Sequence, residues 1–529
     1  MTETGDTRQS GQGVEIGTVK NQPSTEYNRR DYVKAHRLYR CLEMIPGVMI
    51  WATFAFTVIL TIFAPMWAIL FIILFDLLWL VRVLYLMTFI IVAFIRFRKA
   101  LKVDWNKLCQ ESDKLERFDQ LRYLVILPTH ADEIDVIRTT LEHIRNSTIP
   151  LERFFIVIGF EQRDDPDARL IGDKLTEEYA DVFGQWLITV HPKDVPGEMI
   201  GKGSNTAWMG RRAKDRIDAL GWKYENVIVS SFDIDSCVHP QYFACVSHAF
   251  LTSPHPTRTS YQPVPLFNNN AWDAPAFTRV VANSTTFWLL SETIRTERMF
   301  TFSSHSMSFK ALIDVDFWQS DIVTEDSRIF LQCLVTYDGD YHMKPIYIPI
   351  SMDSVQGRTL WETMVHQYKQ IRRWAYGVEN FPYMVWNFRG NRLISFSRKL
   401  RYIWNQLEGE YSWATAPIMI FFLGFFPLKF ASDIEKQTVL YQSAPSVLQL
   451  MMTISLIGLF TSALMSLIIL PQGPKRGGPK KLFIMLLQWI IFPVITILFG
   501  SIPAIDAQTR LMLGKYLGFW PTKKIRSKT

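Results

Sequence analysis

Cysteine is scarce in this chain of 529 residues: Cys41, Cys109, Cys237, Cys245 and Cys333 make five, with no Cys-x-x-Cys pair and no Cys/His cluster at ligand spacing. A disulfide scaffold and a zinc module are thereby excluded, and the five read as reduced structural thiols. No internal repeat or low-complexity tract is present. Residues 1–26 hold no apolar run, so they are neither a signal peptide nor a packed element, and a disordered tail is expected there. Charge is thin as well, with Asp, Glu, Lys and Arg at 20% and a mean hydropathy of +0.06. A hydrophobic share of 48% excludes a disordered or collagen-like chain.

What is abundant is apolar and aromatic residue, 17 of them Trp, and it is unevenly spread. That is the pattern of a mixed membrane and soluble protein. The net charge of +7 and pI near 9.0 need no nucleic-acid partner, because Lys and Arg also gather on the cytosolic flanks of membrane spans. Residues 27–43 are basic. From Val48 to Phe75 nothing is charged, and the apolar run continues to Ile95, broken by Asp76 and Arg82. A bilayer core needs about 20 apolar residues per helix, so 44–96 predicts two spans turning near Pro65. Asp76 and Arg82, six residues apart, share no helix face and are not expected to pair directly; intramembrane charges raise the question of function.

Residues 97–410 read as soluble sequence. Short apolar runs (Tyr123–Leu127, Phe154–Ile158, Val227–Val229) alternate with helical patterns (Val136–Ile144, Asp326–Leu334), which predicts an α/β domain with a largely parallel sheet. Three more uncharged stretches follow at 411–428, 437–474 and 482–505, within a C-terminal membrane portion over 411–507. A basic loop with Lys475, Arg476, Lys480 and Lys481 separates the last two, and a basic tail occupies 508–529. Two early spans plus three later ones would leave the C-terminus outside, against its basic character. The expectation is an inside C-terminus with one stretch failing to cross, and Pro493 marks the segment most open to a break. The stretch 252–300, with its Asn268–Asn270 run, reads as an inserted loop.

The strongest local signal is Val227-Ile-Val-Ser-Ser-Phe-Asp233-Ile-Asp235. A buried strand runs into two carboxylates, and ligands of open α/β sheets bind at such strand ends. Two carboxylates at this spacing suit a hard cation that also binds a diphosphate. Further on, Thr324 suits a helix cap, with Glu325 and Asp326 in the first turn; Asp326 also suits a general base for an attacking hydroxyl. In Gln370-Ile-Arg-Arg373-Trp374 the residues Gln370, Arg373 and Trp374 share one helix face. Together they offer an amide, a diphosphate clamp and a flat platform for a sugar ring. Gly201-Lys202-Gly203 is not a P-loop, since Gly203 stands where Ser or Thr is required and Gly197 is one residue too close. His239 and His305 lack partner spacing for a metal and read as turn or packing residues.

The order of these motifs resembles the membrane-embedded family 2 glycosyltransferases, the cellulose and hyaluronan synthases among them, over residues 120–380. Leu124-Val-Ile-Leu-Pro-Thr129-His-Ala-Asp-Glu133 is similar to their first strand and loop, and Gly201-Lys202-Gly-Ser-Asn205 to their donor segment. The resemblance implies a GT-A-like, Rossmann-like cytosolic domain joined to all-α transmembrane helices. It implies a nucleotide-sugar donor, UDP-linked by preference, a glycan acceptor, a Mg²⁺ or Mn²⁺ cofactor and a plasma-membrane location. Thr129, Glu133, Glu161, Lys202, Asn205, Asp233, Gln370 and Arg373 would face the donor, Asp235 the metal, Asp326 the acceptor proton, and Glu325 and Trp374 the acceptor. Glu161 departs from the family, which has Asp after its second strand; Asp164 and Asp165 are substitutes. Phe519-Trp-Pro-Thr522-Lys-Lys524 resembles a gating loop, and equally suits a basic tail on anionic lipid. Rival readings are a non-processive enzyme making a glycolipid, a transporter with a degenerate transferase domain, and a scaffold.

Overall fold

The computed structural model describes residues 36–469 and 478–518. The N-terminal tail, Lys475 and Arg476 of the basic loop, and Phe519, Thr522 and Lys524 lie outside the described residues.

Helices α1 (Arg37–Phe63) and α2 (Pro65–Ala100) carry the first apolar block. The chain breaks between them as Pro65 requires, because proline disfavours helical backbone in the residue before it; Ala64 sits at φ −150°, ψ 67°.

Eight strands follow: β1 (Arg122–Pro128), β2 (Phe154–Glu161), β3 (Gln185–His191), β4 (Val227–Ser231), β5 (Cys237–Val238), β6 (Thr259–Leu266), β7 (His305–Ser308) and β8 (His342–Ser351). They form one sheet in the order β3-β2-β1-β4-β7-β6-β8-β5. The first four are parallel to one another. Strand β7 runs antiparallel to β4 and β6, and β6 pairs with β8 in parallel. The sheet is thus parallel on one half and mixed on the other.

Between the strands lie α3 (Ile134–Arg145), α4 (Lys202–Ala219), α5 (Tyr242–Thr252), α6 (Ala276–Glu292), α7 (Glu325–Thr336) and, after β8, α8 (Leu360–Ala375). Strand residues alternate between two cores. Tyr123, Val125 and Leu127 face one with α3 and α5; Leu124 and Ile126 face the other with α4 and α7. Both faces being covered explains why β1 and β2 read as unbroken apolar runs, and each fully buried Leu, Ile or Phe contributes about 1.5–3 kcal/mol.

The stretch 252–300 is no inserted loop. It supplies β6, a central strand of the mixed half, and α6, which packs on β6 and α2. Its Asn run is spent on backbone: Asn270 Nδ2 donates to the Ser354 carbonyl (2.9 Å) and its Oδ1 accepts from the Ser354 amide (2.8 Å).

The chain closes with α9 (Phe396–Phe421), α10 (Val439–Ile468) and α11 (Ile502–Met512). Four helical runs among the described residues are long and apolar enough to cross a membrane: Arg37–Phe63, Pro65–Ala100, Val439–Ile468 and Leu482–Met512. Helix α9 with Leu423–Phe430 forms a pair bent by 46°, which would be a fifth. By length and composition the stretch 411–428 qualifies only as a bent pair, whereas the segment around Pro493 qualifies as one run. Gly424 and Pro427, both poor in a helix interior, lie just past the bend. Helix α2 continues past residue 96 and α9 crosses 410–411, so the divisions drawn from hydropathy fall inside helices.

Candidate active site

Strand order reverses between β1 and β4, and in open α/β sheets the loops leaving the strands on either side of such a reversal enclose a crevice. A cavity of about 1470 Å³ opens there. Its wall includes Thr129 and Glu133 after β1, Glu161 ending β2, Lys202 and Asn205 on the first turn of α4, and Asp233 and Asp235 after β4. It also includes Glu325 and Asp326 on the first turn of α7, and Gln370, Arg373 and Trp374 on α8. All twelve described candidates thus line one space.

At its floor sits a charge cluster. Lys202 Nζ lies 2.8 Å from Asp233 Oδ1, 2.7 Å from Asp326 Oδ2 and 3.7 Å from Glu325 Oε1. Burial works against charge on this lysine, but the attraction of Asp233, Asp326 and Glu325 outweighs it and holds the ammonium above the ordinary lysine range. Glu325 is raised, to about 7, first by burial and then by the Asp326 charge beside it. The cluster depends on a close approach of α4 and α7. A Cβ at Gly203 would lie 3.2 Å from Glu325 Cβ and 3.3 Å from the Gln319 carbonyl, so glycine lets the two first turns meet. Asp326 Oδ1 and Glu325 Oε2 are buried with no hydrogen-bond partner among the described residues.

Thr324 does not cap α7 as expected. Its hydroxyl donates instead to Glu379 Oε1 at 2.6 Å, tying the start of α7 to the segment after α8.

Asp235 is 1% exposed, and its Oδ2 accepts the Asp353 amide at 2.7 Å. Asn269 Nδ2 donates to the Asp235 carbonyl at 3.2 Å. Asp233 accepts from Ser303 Oγ at 2.5 Å, and its amide donates to Ser304 Oγ at 3.2 Å. Ser303, Asn269 and Asp353 escaped the sequence reading. Asp353 carried a usable signal, an apolar strand running into a carboxylate just as β4 does; Ser303 and Asn269 carried none. Asp233 and Asp235 are oxygen ligands of the kind a hard divalent cation takes; the group of three ligand atoms within 4.8 Å of one another among the described residues is His255, Asp340 and His342, none of which lines this cavity.

At the ends of β1 and β2, Thr129 Oγ1 donates to Asp132 Oδ2 (3.0 Å) and its amide to the Gly159 carbonyl (2.9 Å). Asn205 Nδ2 reaches the same carbonyl at 2.8 Å. The Glu161 carboxylate lines the cavity but is gripped by Arg163, at 2.6 Å and 3.0 Å. Asp164 and Asp165 do not line it. Asp164 meets His130 Nδ1 at 2.8 Å and accepts the Ala131 amide at 3.2 Å, fixing the loop after β1. His239 Nδ1 accepts the Gln241 amide at 3.2 Å, as a turn residue does. His305 is fully buried on β7, its pKa lowered by burial.

Helix α8 joins this site to the long apolar helices. Thr359 caps it by accepting the Glu362 amide at 3.1 Å. One face carries Gln370, Arg373 and Trp374, with the Trp374 ring 5.8 Å from Phe267. On the other face Tyr368 and Arg372 meet Asp506 of α11 at 3.1 Å and 2.9 Å. From Trp374 the cavity continues between α2, α9 and α10, past Asp76, Arg82, Glu410 and Trp413. Arg82 and Asp76 do not pair. Arg82 forks onto Glu408 of α9, with Nη2–Oε2 at 3.0 Å, and reaches Ser412 at 3.0 Å. Asp76 is 8% exposed and keeps Oδ1 without a hydrogen-bond partner among the described residues.

No family model and no curated protein matches the chain. Solved structures similar to it include the mannosyltransferase PcManGT from Pyrobaculum calidifontis in complex with GDP-Man and Mn²⁺. The two share 14% identity, with a TM-score of 0.40, over 72% of this chain and 99% of that one. S. aureus TarS 1-349 in complex with UDP-GlcNAc is another, at 13% identity and a TM-score of 0.32, over 63% of this chain and 90% of that one. Likeness of this degree leaves the chemistry to be argued from the site.

Proposed function

We propose that the chain is a membrane-embedded glycosyltransferase of the family 2 type. It transfers a sugar from a nucleotide-diphosphate sugar, UDP-linked by preference, to a growing glycan at the cytosolic face, and leads the glycan into the membrane helices. The observation that carries this reading is the single cavity, which runs from the carboxylates at the end of β4 past Trp374 to the space between α2, α9 and α10. A glycolipid-forming enzyme needs no such continuation.

Asp326 is the base of this scheme. Its carboxylate lines the cavity, held at Oδ2 by Lys202 at 2.7 Å, and would take the acceptor proton. The acceptor oxygen then bonds to the anomeric carbon while the bond from that carbon to the diphosphate breaks on the opposite face, inverting the centre. Arg373 is placed to hold the departing diphosphate as a planar donor, and Trp374 to hold the acceptor ring. Asp235, with Asp233 beside it, would bind Mg²⁺ or Mn²⁺, which when bound neutralises charge growing on the leaving group. Four spans return a chain to the side on which it entered. With the bent pair not crossing, both basic ends lie in the cytosol, in keeping with the positive-inside rule, and the enzyme sits in the plasma membrane.

Protein in nanodiscs, offered UDP- and GDP-sugars with Mg²⁺ or Mn²⁺, is expected to release nucleotide from at least one donor and to make a product longer than one sugar. A single-sugar glycolipid would replace the processive reading; no release from any donor would overturn the transferase.

A further inference from the structure

Charge along the cavity constrains what can travel through it. Its described wall carries five cationic side chains, Arg82, Lys202, Arg298, Arg358 and Arg373, against ten carboxyl groups. Lys202 is engaged by three carboxylates. Arg358 precedes the first turn of α8, and Arg373 lies in its last turn beside Trp374. The other two cations each have their own carboxylate. Arg298 forks onto Glu292, with Nε–Oε2 at 3.0 Å and both side chains 10% exposed or less. Arg82 forks onto Glu408 in the same manner. Asp76 and Glu410 add carboxyl groups, each with an oxygen lacking a hydrogen-bond partner among the described residues.

A glycan with a uronate in each repeat would have to bring carboxylates into this stretch. A charge leaving water for an apolar channel needs a cation there to offset its desolvation. Here both cations are already neutralised, and the groups left over, Asp76 and Glu410, are carboxyl groups that offer a uronate no counter-charge. A neutral pyranose meets no such penalty: its C–H faces stack on indoles, and Trp288, Trp413 and Trp489 line the route. We infer that the transferred sugar is uncharged, a hexose or N-acetylhexosamine, and that uronate donors and uronate-containing products are excluded. This inference rests on the transferase reading above.

Nanodisc-embedded protein is given UDP-glucose, UDP-N-acetylglucosamine, GDP-mannose and UDP-glucuronate separately with Mg²⁺ or Mn²⁺. The best neutral donor is expected to release nucleotide at least about 100-fold faster than UDP-glucuronate, and its polymer to pass unretained through an anion exchanger. UDP-glucuronate turnover within tenfold of the best donor, or a retained polymer, overturns the inference and leaves the transferase standing. If no donor turns over, the transferase reading falls, and the channel is judged alone by titrating neutral and uronate oligosaccharides calorimetrically. Equal or tighter uronate binding then overturns the inference, and weaker uronate binding supports it. Glu408→Gln and Glu292→Gln, which free Arg82 and Arg298, are each expected to strengthen uronate binding severalfold; no gain in either counts against the charge argument.

Discussion

At the carboxyl ends of the strands, three carboxyl groups share one ammonium; in the helical half of the same cavity, Arg82 and Arg298 each have a carboxylate to themselves. The difference follows from what surrounds each. On the proposed reading, the strand ends face a crevice that a cation and a diphosphate enter, so surplus negative charge there is tolerated because a ligand would complete it. The helices offer no such ligand, and an isolated charge there would stay desolvated. On the proposed reading, the shared ammonium marks where the chemistry is done, and the paired arginines line the stretch through which the product passes.

The sharpest way to break this contrast is to remove one member of the surplus. Asp326→Asn is expected to lower transfer by about 10³-fold, in the range of general-base catalysis, while nucleotide binding measured calorimetrically stays within a few-fold. Turnover near the wild-type rate would show that the cluster is structural. Asp235→Asn, which keeps the Oδ2 contact to the Asp353 amide but removes a charge, should instead raise the Mn²⁺ concentration needed for activity.

On the balanced side the expected loss is of stability. Arg82→Leu leaves Glu408 in apolar surroundings with its partner gone, at a cost of about 3 kcal/mol. Thermal unfolding in nanodiscs checks it, and the double variant Arg82→Leu/Glu408→Leu should recover most of the loss. If the double variant is no better than the single one, the pair is not what neutralises this part of the channel.

Glu325 sharpens the comparison through pH. Burial and the neighbouring Asp326 raise its pKa from 4.5 to about 7, so between those values the folded chain binds more protons than the unfolded one. Stability attributable to this group therefore falls as pH rises from about 4.5 to 7, and is level outside that window. Glu325→Gln should remove that slope from the unfolding midpoint. An unchanged slope would place the pH response elsewhere.

Much of this was legible in the sequence, and the limits of that reading are physical. Strand β1 and helix α3 show in apolar spacing because burial selects residues locally. Asp233, Asp326 and Trp374 show because their neighbours in sequence carry the same chemistry. Arg82 with Glu408 was not legible: 326 residues separate them, and no local pattern encodes a partner on another helix. The grip of Arg163 on Glu161 was closer to hand, yet a charge two residues away along a strand end predicts nothing until the turn is known. The stretch 252–300 misled for a related reason. Its Asn and aromatic residues look like loop chemistry, while the mixed half of the sheet that absorbs them is set by pairings with β7 and β8.

The smallest expected effect concerns the hinge between the two halves, helix α8. Thr359-Leu-Trp-Glu362 is a capping-box sequence, and in the structure the Thr359 hydroxyl accepts the Glu362 amide while Glu362 Oε2 accepts the Arg358 amide at 2.8 Å. Thr359→Ala removes one of these bonds and should cost about 1 kcal/mol. Tyr368, Arg372 and Asp506 still fix the far end of the helix, so Gln370, Arg373 and Trp374 should keep their places. Activity is then expected to fall less than threefold while the unfolding midpoint drops by a few degrees. A loss of turnover without that drop would mean that the first turn of α8 positions the donor, and that the boundary between reacting and conducting halves lies nearer Arg358 than Trp374.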